Sequence, residues 1–211
     1  MAFFADEDRK FVIYESPKTG GTTLRSWINY AGTGEIMLSG TKDYYYESNN
    51  VYSSLDSWGY DYSKFREFDG YERVCIKRDP ISRFISCYTD KVVRENHIPN
   101  CDMDNFIRNM EQVLEEHPFM HPSFKGEKVG FLWYHFVPQA YHLGESKEYY
   151  DLVVDTKDIS TVLKPYLESK WEVSLPDLHT RKQTVAKPTL TDEQCDIIRK
   201  YYQIDYSTGW L

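Results

Sequence analysis

The sequence has no long hydrophobic run. None of its apolar stretches approaches the roughly 18–20 residues that a membrane-spanning helix needs. The first ten residues, Met-Ala-Phe-Phe-Ala-Asp-Glu-Asp-Arg-Lys, do not follow the plan of a signal peptide, in which a basic segment precedes an apolar one. We therefore expect a soluble, cytoplasmic protein that does not bind a membrane.

Basic charge and paired cysteines are also scarce. Asp and Glu outnumber Lys and Arg by 33 to 25, which gives a net charge of −8. Because proteins that bind nucleic acid usually carry a basic excess, nucleic acid is not an expected partner. The four cysteines are widely spaced without a Cys-x-x-Cys pair, so we expect free thiols and no metal site.

The chain is long enough for one domain with a well-formed core and marginal for two. No internal repeat or low-complexity linker divides it, so residues 1–211 are predicted to form a single domain. Aromatic residues make up 16% of the chain. They could serve packing or line a site for a sugar or an adenine, and composition does not distinguish the two.

Strands and helices alternate along the sequence. Apolar runs rich in strand-forming residues occupy 11–14, 73–77 and 150–154. Between the first two runs, apolar residues recur at helical spacing from Leu24 to Ala31, and Gly32 and Gly34 are expected to end that helix. This alternation predicts an α/β fold with three layers, in which a central parallel sheet lies between helices.

Other helix boundaries are visible locally. Asp79-Pro80 places an N-cap residue before a proline at the first helical position. Thr191 and Gln194 form a capping box. Pro165 is expected to interrupt a helix that opens at Asp158. One helical face is predicted from four apolar residues, namely Ile81, Ile85, Tyr88 and Val92.

A glycine loop connects the first strand to the first helix. It reads Pro17-Lys18-Thr19-Gly20-Gly21-Thr22-Thr23. Gly20 and Gly21 let the backbone approach a ligand closely, and the first N–H groups of the following helix attract an anion. Thr22 and Thr23 add hydroxyl donors, and Lys18 adds a full positive charge. The loop is not a nucleotide-binding P-loop, because its lysine precedes the glycines and none follows them.

A second motif follows the second strand. It reads Arg78-Asp79-Pro80-x-x-Arg83-x-x-Ser86-x-Tyr88. Arg83 and Ser86 are three residues apart and share a helix face. Arg78 stands at a strand end, where open α/β sheets bind ligands. Two guanidinium groups and a hydroxyl that converge suit a phosphate, and an alternative is a solvated helix face with an Asp79–Arg83 ion pair.

The two motifs together resemble the sulfotransferase superfamily and are most similar to its carbohydrate sulfotransferase branch, which includes heparan 2-O-type and chondroitin-type enzymes. Three later segments are similar to further elements of that branch: His135-Phe136-Val137-Pro138-Gln139, His179-x-Arg181-Lys182-Gln183 and Tyr201-Tyr202-Gln203-Ile204-Asp205-Tyr206. The resemblance implies a P-loop-like sulfotransferase fold. It also implies 3′-phosphoadenylyl sulfate (PAPS) as the sulfuryl donor, a glycan or other hydroxyl acceptor, and no metal.

The resemblance also implies roles for single residues. Lys18 would neutralise the charge that develops on the leaving oxygen, and the loop 19–23 would hold the 5′-phosphate. Arg78 and Ser86 would hold the 3′-phosphate, with Arg181 or Lys182 closing over it. A Golgi enzyme of this branch would be expected to carry a membrane anchor, and none is visible in the sequence. A bacterial or viral source is therefore favoured.

The general base is the open question on the acceptor side. Many members of the superfamily carry a His or Glu before the strand that precedes the 3′-phosphate motif, but residues 24–96 contain no His. Asp56 lies at the matching distance from Arg78, and Glu35, Glu47 and His135 are further candidates. The segments 40–70 and 95–130 are expected to shape the acceptor pocket, while the acceptor and the oligomeric state stay open.

Two other functions fit parts of the sequence. A P-loop-like kinase of a small metabolite would need magnesium ligands and a lysine after the second glycine, and neither is visible. A non-catalytic module that binds PAPS or another anion would need only the loop. PAPS-dependent sulfuryl transfer explains both motifs and is the prediction from the sequence.

Overall fold

The computed structural model describes residues 2–36, 51–53, 68–116, 131–144, 146–178 and 186–210. Within them, a five-stranded sheet has the order β3-β1-β2-β4-β5. Its strands are β1 (Ala2–Asp6), β2 (Phe11–Glu15), β3 (Val51–Ser53), β4 (Glu72–Lys77) and β5 (Leu152–Asp155).

The three strands predicted from apolar runs form the parallel part of the sheet. β2 pairs with β4, and β4 pairs with β5, both in parallel register. β1 is antiparallel to both β2 and β3. Neither β1 nor β3 was predicted. Because β2, β4 and β5 run in the same direction, their carboxyl ends meet at one edge of the sheet, which is where the candidate site lies.

Helices connect and cover the strands. The described α-helices are α1 (Gly21–Thr33), α2 (Pro80–Cys87), α3 (Met103–Arg108), α4 (Met110–Glu116), α5 (Phe131–Phe136), α6 (Ala140–Leu143), α7 (Lys164–Trp171), α8 (Asp192–Tyr201) and α9 (Gln203–Ser207). Two π-helical segments, Tyr88–Arg94 and Ile159–Leu163, continue directly from α2 and into α7. No described helix is long and apolar enough to cross a bilayer.

Buried side chains cover both faces of the sheet. On one face, Phe11 and Ile13 of β2 pack in a cluster with Trp27 of α1 and Leu167 of α7. On the other face, a second cluster joins β1, β2 and β4 to α6 and to Trp210. A third cluster gathers side chains of α2 to α5 and α8. The predicted α/β class, with a central and largely parallel sheet between helices, is therefore confirmed.

The predicted helix boundaries agree with the structure at most positions. Gly34 ends α1 with a left-handed φ of 76°. Asp79 caps α2 by accepting a hydrogen bond from the amide of Ser82 at 2.8 Å, and the capping box of α8 forms. Two positions differ from the prediction. Gly32 lies inside the last turn of α1 and does not end it. Pro165 lies in the first turn of α7, and the helical course runs through it from the π-helix Ile159–Leu163.

The four cysteines are free, as expected. Cys75 and Cys87 are completely buried, and Cys75 belongs to the sheet core.

Candidate active site at the carboxyl edge of the sheet

The glycine loop forms the start of α1. Gly20 precedes the helix with a left-handed φ of 102° and accepts the amide hydrogen bonds of Thr23 at 2.9 Å and Leu24 at 3.1 Å. Within the described part of the chain, the amides of Gly20, Gly21 and Thr22 donate no hydrogen bond. Because α1 spans 13 residues, its dipole adds to these free amides, and the loop is suited to bind an anion.

Side chains of the protein itself pack closely against both glycines. A Cβ at Gly20 would lie 2.4 Å from Cδ1 of Ile159, and a Cβ at Gly21 would lie 2.1 Å from Oε2 of Glu15. Glu15 is buried and forms an ion pair with Arg25 of α1. Burial raises the pKa of Glu15, while the charge of Arg25 and its hydrogen bond act in the opposite direction. Glu15 of β2 and Ile159 of the π-helix Ile159–Leu163 therefore pack directly against the glycine loop.

Thr19 shapes the turn with its own side chain. Its hydroxyl donates to the carbonyl of Ser16 at 2.7 Å, and the residue is fully buried. The hydroxyl of Thr156, which follows β5, donates to the carbonyl of Lys77 at 2.8 Å and to that of Thr19 at 3.5 Å. These bonds connect the loop to the ends of β4 and β5. The side chain of Thr19 therefore stabilises the turn. Thr22 and Thr23 are half-buried at the start of α1.

Lys18 lies in the loop and has a backbone φ of 71°, in the left-handed region. Its ammonium group donates to Oδ2 of Asp90 at 2.7 Å, and its side chain is 19% exposed. Asp90 lies in the π-helix Tyr88–Arg94, is itself buried, and also contacts Lys91 at 3.6 Å and Arg94. Sequence reasoning did not single out Asp90.

The pKa of Asp90 is low despite its burial. Burial alone would raise it, but the hydrogen bond from Lys18 and the charges of Lys18, Lys91 and Arg94 outweigh that effect and lower the pKa below its ordinary value. Asp90 is therefore a carboxylate at neutral pH and a poor acceptor of a proton.

Arg78 brings the second predicted motif to the loop. It follows β4, and its guanidinium donates to the carbonyl of Lys18 at 2.9 Å. Burial lowers the pKa of Arg78. The two motifs, which are far apart in the sequence, thus meet at the carboxyl edge of the sheet.

Gln139 holds Arg78 in place from the other side. Its side-chain oxygen accepts the amide of Arg78 at 2.8 Å, and its side-chain nitrogen donates to the carbonyl of Arg78 at 2.6 Å. The hydroxyl of Ser16 also donates to Gln139, at 3.5 Å. Asp205 in turn accepts the backbone amides of Gln139 at 3.0 Å and Ala140 at 2.8 Å. The segment 135–139 and the closing helices therefore brace the strand ends, a role that the sequence motifs did not reveal.

Arg83 does not join Arg78 at a phosphate site. It is completely buried, donates to the carbonyl of His135 at 2.9 Å and to that of Val137, and stacks on the ring of Tyr202 at 5.4 Å. The expected convergence of two guanidinium groups is therefore wrong, because both terminal nitrogens of the Arg83 guanidinium donate to backbone carbonyls. Ser86 is half-buried in the last turn of α2, and its hydroxyl makes no hydrogen bond with any described residue.

The candidate bases lie in different places. His135 is half-buried at the end of α5, and its carbonyl accepts from Arg83 at 2.9 Å and from the thiol of Cys87 at 3.0 Å. Glu35 is exposed beyond the end of α1. The remaining predicted positions lie outside the described residues, namely Glu47, Asp56, Arg181 and Lys182. Among described residues, no group of His, Cys, Asp and Glu could hold a metal ion.

The fold and the site define an α/β protein in which a glycine loop and an arginine-bearing strand end meet at the carboxyl edge of the sheet, an arrangement suited to an anion. The model of the sulfotransferase family matches residues 1–208, and the chain belongs to that family.

Two known proteins are similar to the chain. The Caenorhabditis elegans protein "Putative sulfotransferase vep-2" is 32% identical over 103 residues, which cover 44% of this chain and 31% of that protein. A sulfotransferase from Alicyclobacillus acidocaldarius, known from a crystal structure, is 12% identical over 93% of this chain and 92% of its own, with a TM-score of 0.43.

Proposed function

We propose that the protein transfers a sulfuryl group from PAPS to a hydroxyl acceptor and releases adenosine 3′,5′-bisphosphate. The observation that carries this proposal is the meeting of the two motifs, in which the guanidinium of Arg78 donates to the carbonyl of Lys18 at 2.9 Å. A donor with two separate phosphate groups needs two adjoining anion sites, and the loop and the end of β4 offer them. Membership of the sulfotransferase family supports the reaction type.

The residues at the loop fit the 5′-phosphosulfate end. The free amides of Gly20, Gly21 and Thr22 would hold the phosphate without any rearrangement of the backbone. When bound, the donor supplies an activated sulfuryl group. Lys18 would neutralise the charge on the leaving oxygen, because its side chain is partly exposed beside the loop.

The residues at the end of β4 fit the 3′-phosphate. The hydroxyl of the half-buried Ser86 makes no hydrogen bond with a described residue and, with Arg78, would hold this group. Arg181 or Lys182 would cover it. Asp56 or His135 would take the acceptor's proton, and the acceptor would be a carbohydrate, in line with the branch that the motifs resemble. The unit that carries out this reaction would be a single domain of residues 1–211.

Calorimetry with two nucleotides tests the donor. Adenosine 3′,5′-bisphosphate is expected to bind with micromolar or tighter affinity, and ATP with magnesium is expected not to bind. Binding of ATP–magnesium alone would instead indicate a kinase. Transfer of labelled sulfate from PAPS to a panel of glycans and small hydroxyl compounds then separates an enzyme from a binding module.

Replacement of Lys18 tests the transfer step. Lys18→Ala is expected to lower kcat by about 10²–10³-fold, the range found when one charge-stabilising donor is removed from an active site. Binding of the bisphosphate should persist through Arg78. Lys10→Ala is the matched control, since the exposed Lys10 precedes β2 at the opposite end from the loop. Unchanged turnover in Lys18→Ala would refute the role of this lysine.

A further inference from the structure

The contact between Lys18 and Asp90 is the feature of the site that the proposed function does not yet use. The two side chains come from elements 72 residues apart and meet at 2.7 Å, where the carboxylate is 8% exposed and the lysine side chain 19% exposed. A lysine side chain has a large rotamer entropy, so a lysine without a fixed partner at the loop would rarely occupy one position. A fixed carboxylate removes much of that freedom.

The surroundings of Asp90 allow Lys18 to change partner. Arg94 and Lys91 also contact the Asp90 carboxylate. When the Lys18 ammonium moves towards a bound anion, the buried carboxylate therefore keeps two cationic neighbours. A buried charge that loses all of its partners is strongly destabilising, and this arrangement avoids that loss.

We infer that Asp90 is a positioning residue that holds the Lys18 ammonium at the glycine loop, ready for the leaving oxygen of the sulfuryl donor. This inference rests on the proposed function. Asp90 acts through Lys18 and does not take the acceptor's proton, because a carboxylate beside three cations is a weak base. Its effect should therefore vanish when Lys18 is absent.

The first test compares turnover in wild type and three variants of the full chain. Asp90→Asn is expected to lower kcat by about 10–100-fold, with less than a threefold change in the calorimetric affinity for adenosine 3′,5′-bisphosphate. Glu95→Gln is the matched control, because it removes a carboxylate from the same cluster that contacts Lys91 and Arg94 but not Lys18. Its kcat should stay within twofold of wild type. Asp90→Glu should recover part of the loss.

A double variant separates positioning from general damage. Adding Asp90→Asn to Lys18→Ala is expected to cause no further loss of kcat beyond twofold, whereas a merely structural Asp90 would give losses that multiply. Normal turnover in Asp90→Asn, or multiplying losses, overturns the inference while the proposed function stands. Absence of both transfer and bisphosphate binding in the wild-type chain overturns the proposed function.

A second measurement needs no turnover. Amine labelling with acetic anhydride, read by mass spectrometry, should modify Lys18 several-fold faster in Asp90→Asn than in wild type. The exposed Lys10 serves as the internal reference and should react at the same rate in both. An equal rate at Lys18 in both proteins also overturns the inference, and comparison of melting temperatures shows whether each variant is folded.

Discussion

Gly20 combines two constraints at one residue. Its φ of 102° is strained for any residue with a side chain, and Ile159 packs so closely that a Cβ would lie 2.4 Å from its Cδ1 atom. From the sequence, Gly20 is explained by the close approach of a ligand. The structure adds a second reason, which is the close packing of Ile159. Gly34, by contrast, has a φ of 76°, and a Cβ added there would meet no heavy atom of the described residues within 4 Å.

We expect Gly20→Ala to lower the free energy of unfolding by about 3 kcal/mol, as the sum of backbone strain and overpacking. Gly34→Ala should cost about 1 kcal/mol, because only the strain applies there. Urea denaturation of both variants measures the difference. Adding Ile159→Val to Gly20→Ala removes the colliding methyl group and should restore about 1 kcal/mol. Equal losses at both glycines would argue against the steric contribution.

At the scale of elements, the Gln139 side chain holds the end of β4 by pairing with its backbone, as a neighbouring strand would. The amide group of Gln139 pairs with both the N–H and the carbonyl of Arg78. Gln139 is fully buried and precedes α6, whose first amides are capped by Asp205. The position of Arg78 therefore depends on α6 and α9 as well as on the sheet.

Gln139→Leu keeps most of the side-chain volume but leaves the backbone groups of Arg78 unpaired. We expect a loss of about 3 kcal/mol of unfolding free energy, since each buried and unsatisfied polar group costs about 1–3 kcal/mol. The affinity for adenosine 3′,5′-bisphosphate should fall at least tenfold. Gln112→Leu, on the exposed side of α4, is the matched control and should change the unfolding free energy by less than about 0.5 kcal/mol. Lower stability with unchanged affinity would contradict the role of Gln139 in placing Arg78.

The same elements show what the sequence could predict. The runs at 11–14, 73–77 and 150–154 are apolar enough to indicate strands by themselves, and parallel strands bring the glycine loop and Arg78 to one edge. β1 is a short segment that becomes a strand only by pairing with β2 and β3. The π-helix Tyr88–Arg94 has the apolar spacing of an ordinary helix, so its wider turns were not foreseen.

Asp90 and Gln139 escaped prediction for a different reason. Their partners lie 72 and 61 residues away in the sequence, and no local pattern distinguishes them from ordinary polar residues. Arg83 was misjudged because its spacing from Ser86 fixes a helix face but does not say whether that face meets solvent or the core. Such facts depend on tertiary packing, which helical spacing and motifs do not contain.

At the scale of the whole molecule, the net charge of −8 hides opposing local effects. Burial raises the pKa of Glu15 and Asp205 above the ordinary value, so their contribution to stability falls as the pH rises. Partial burial would also raise the pKa of Glu95, but its contacts with Lys91, Arg94 and His97 lower it to about 2. Its contribution is present above pH 4.5 and is lost as the pH falls towards 2.

A difference measurement isolates Glu95 from the other groups. Wild type should be more stable than Glu95→Gln by about 1 kcal/mol at pH 7, a value reduced for the solvent exposure of the ion pairs. This difference should shrink steadily as the pH falls from 5 to 3, because protonated glutamate resembles glutamine. Urea unfolding of both proteins at each pH measures it. A difference that grows on acidification would contradict the lowered pKa.

Both π-helices of the described chain touch the glycine loop, one through Asp90 at Lys18 and the other through Ile159 at Gly20. A π turn contains about one residue more than an α turn, and one residue corresponds to a rotation of about 100° in an α-helix. Deletion of a single residue from either segment would therefore turn the remaining helix relative to the loop. The length of these two segments therefore matters to the site as much as their residue types. Insertions or deletions there should be tolerated far less than substitutions.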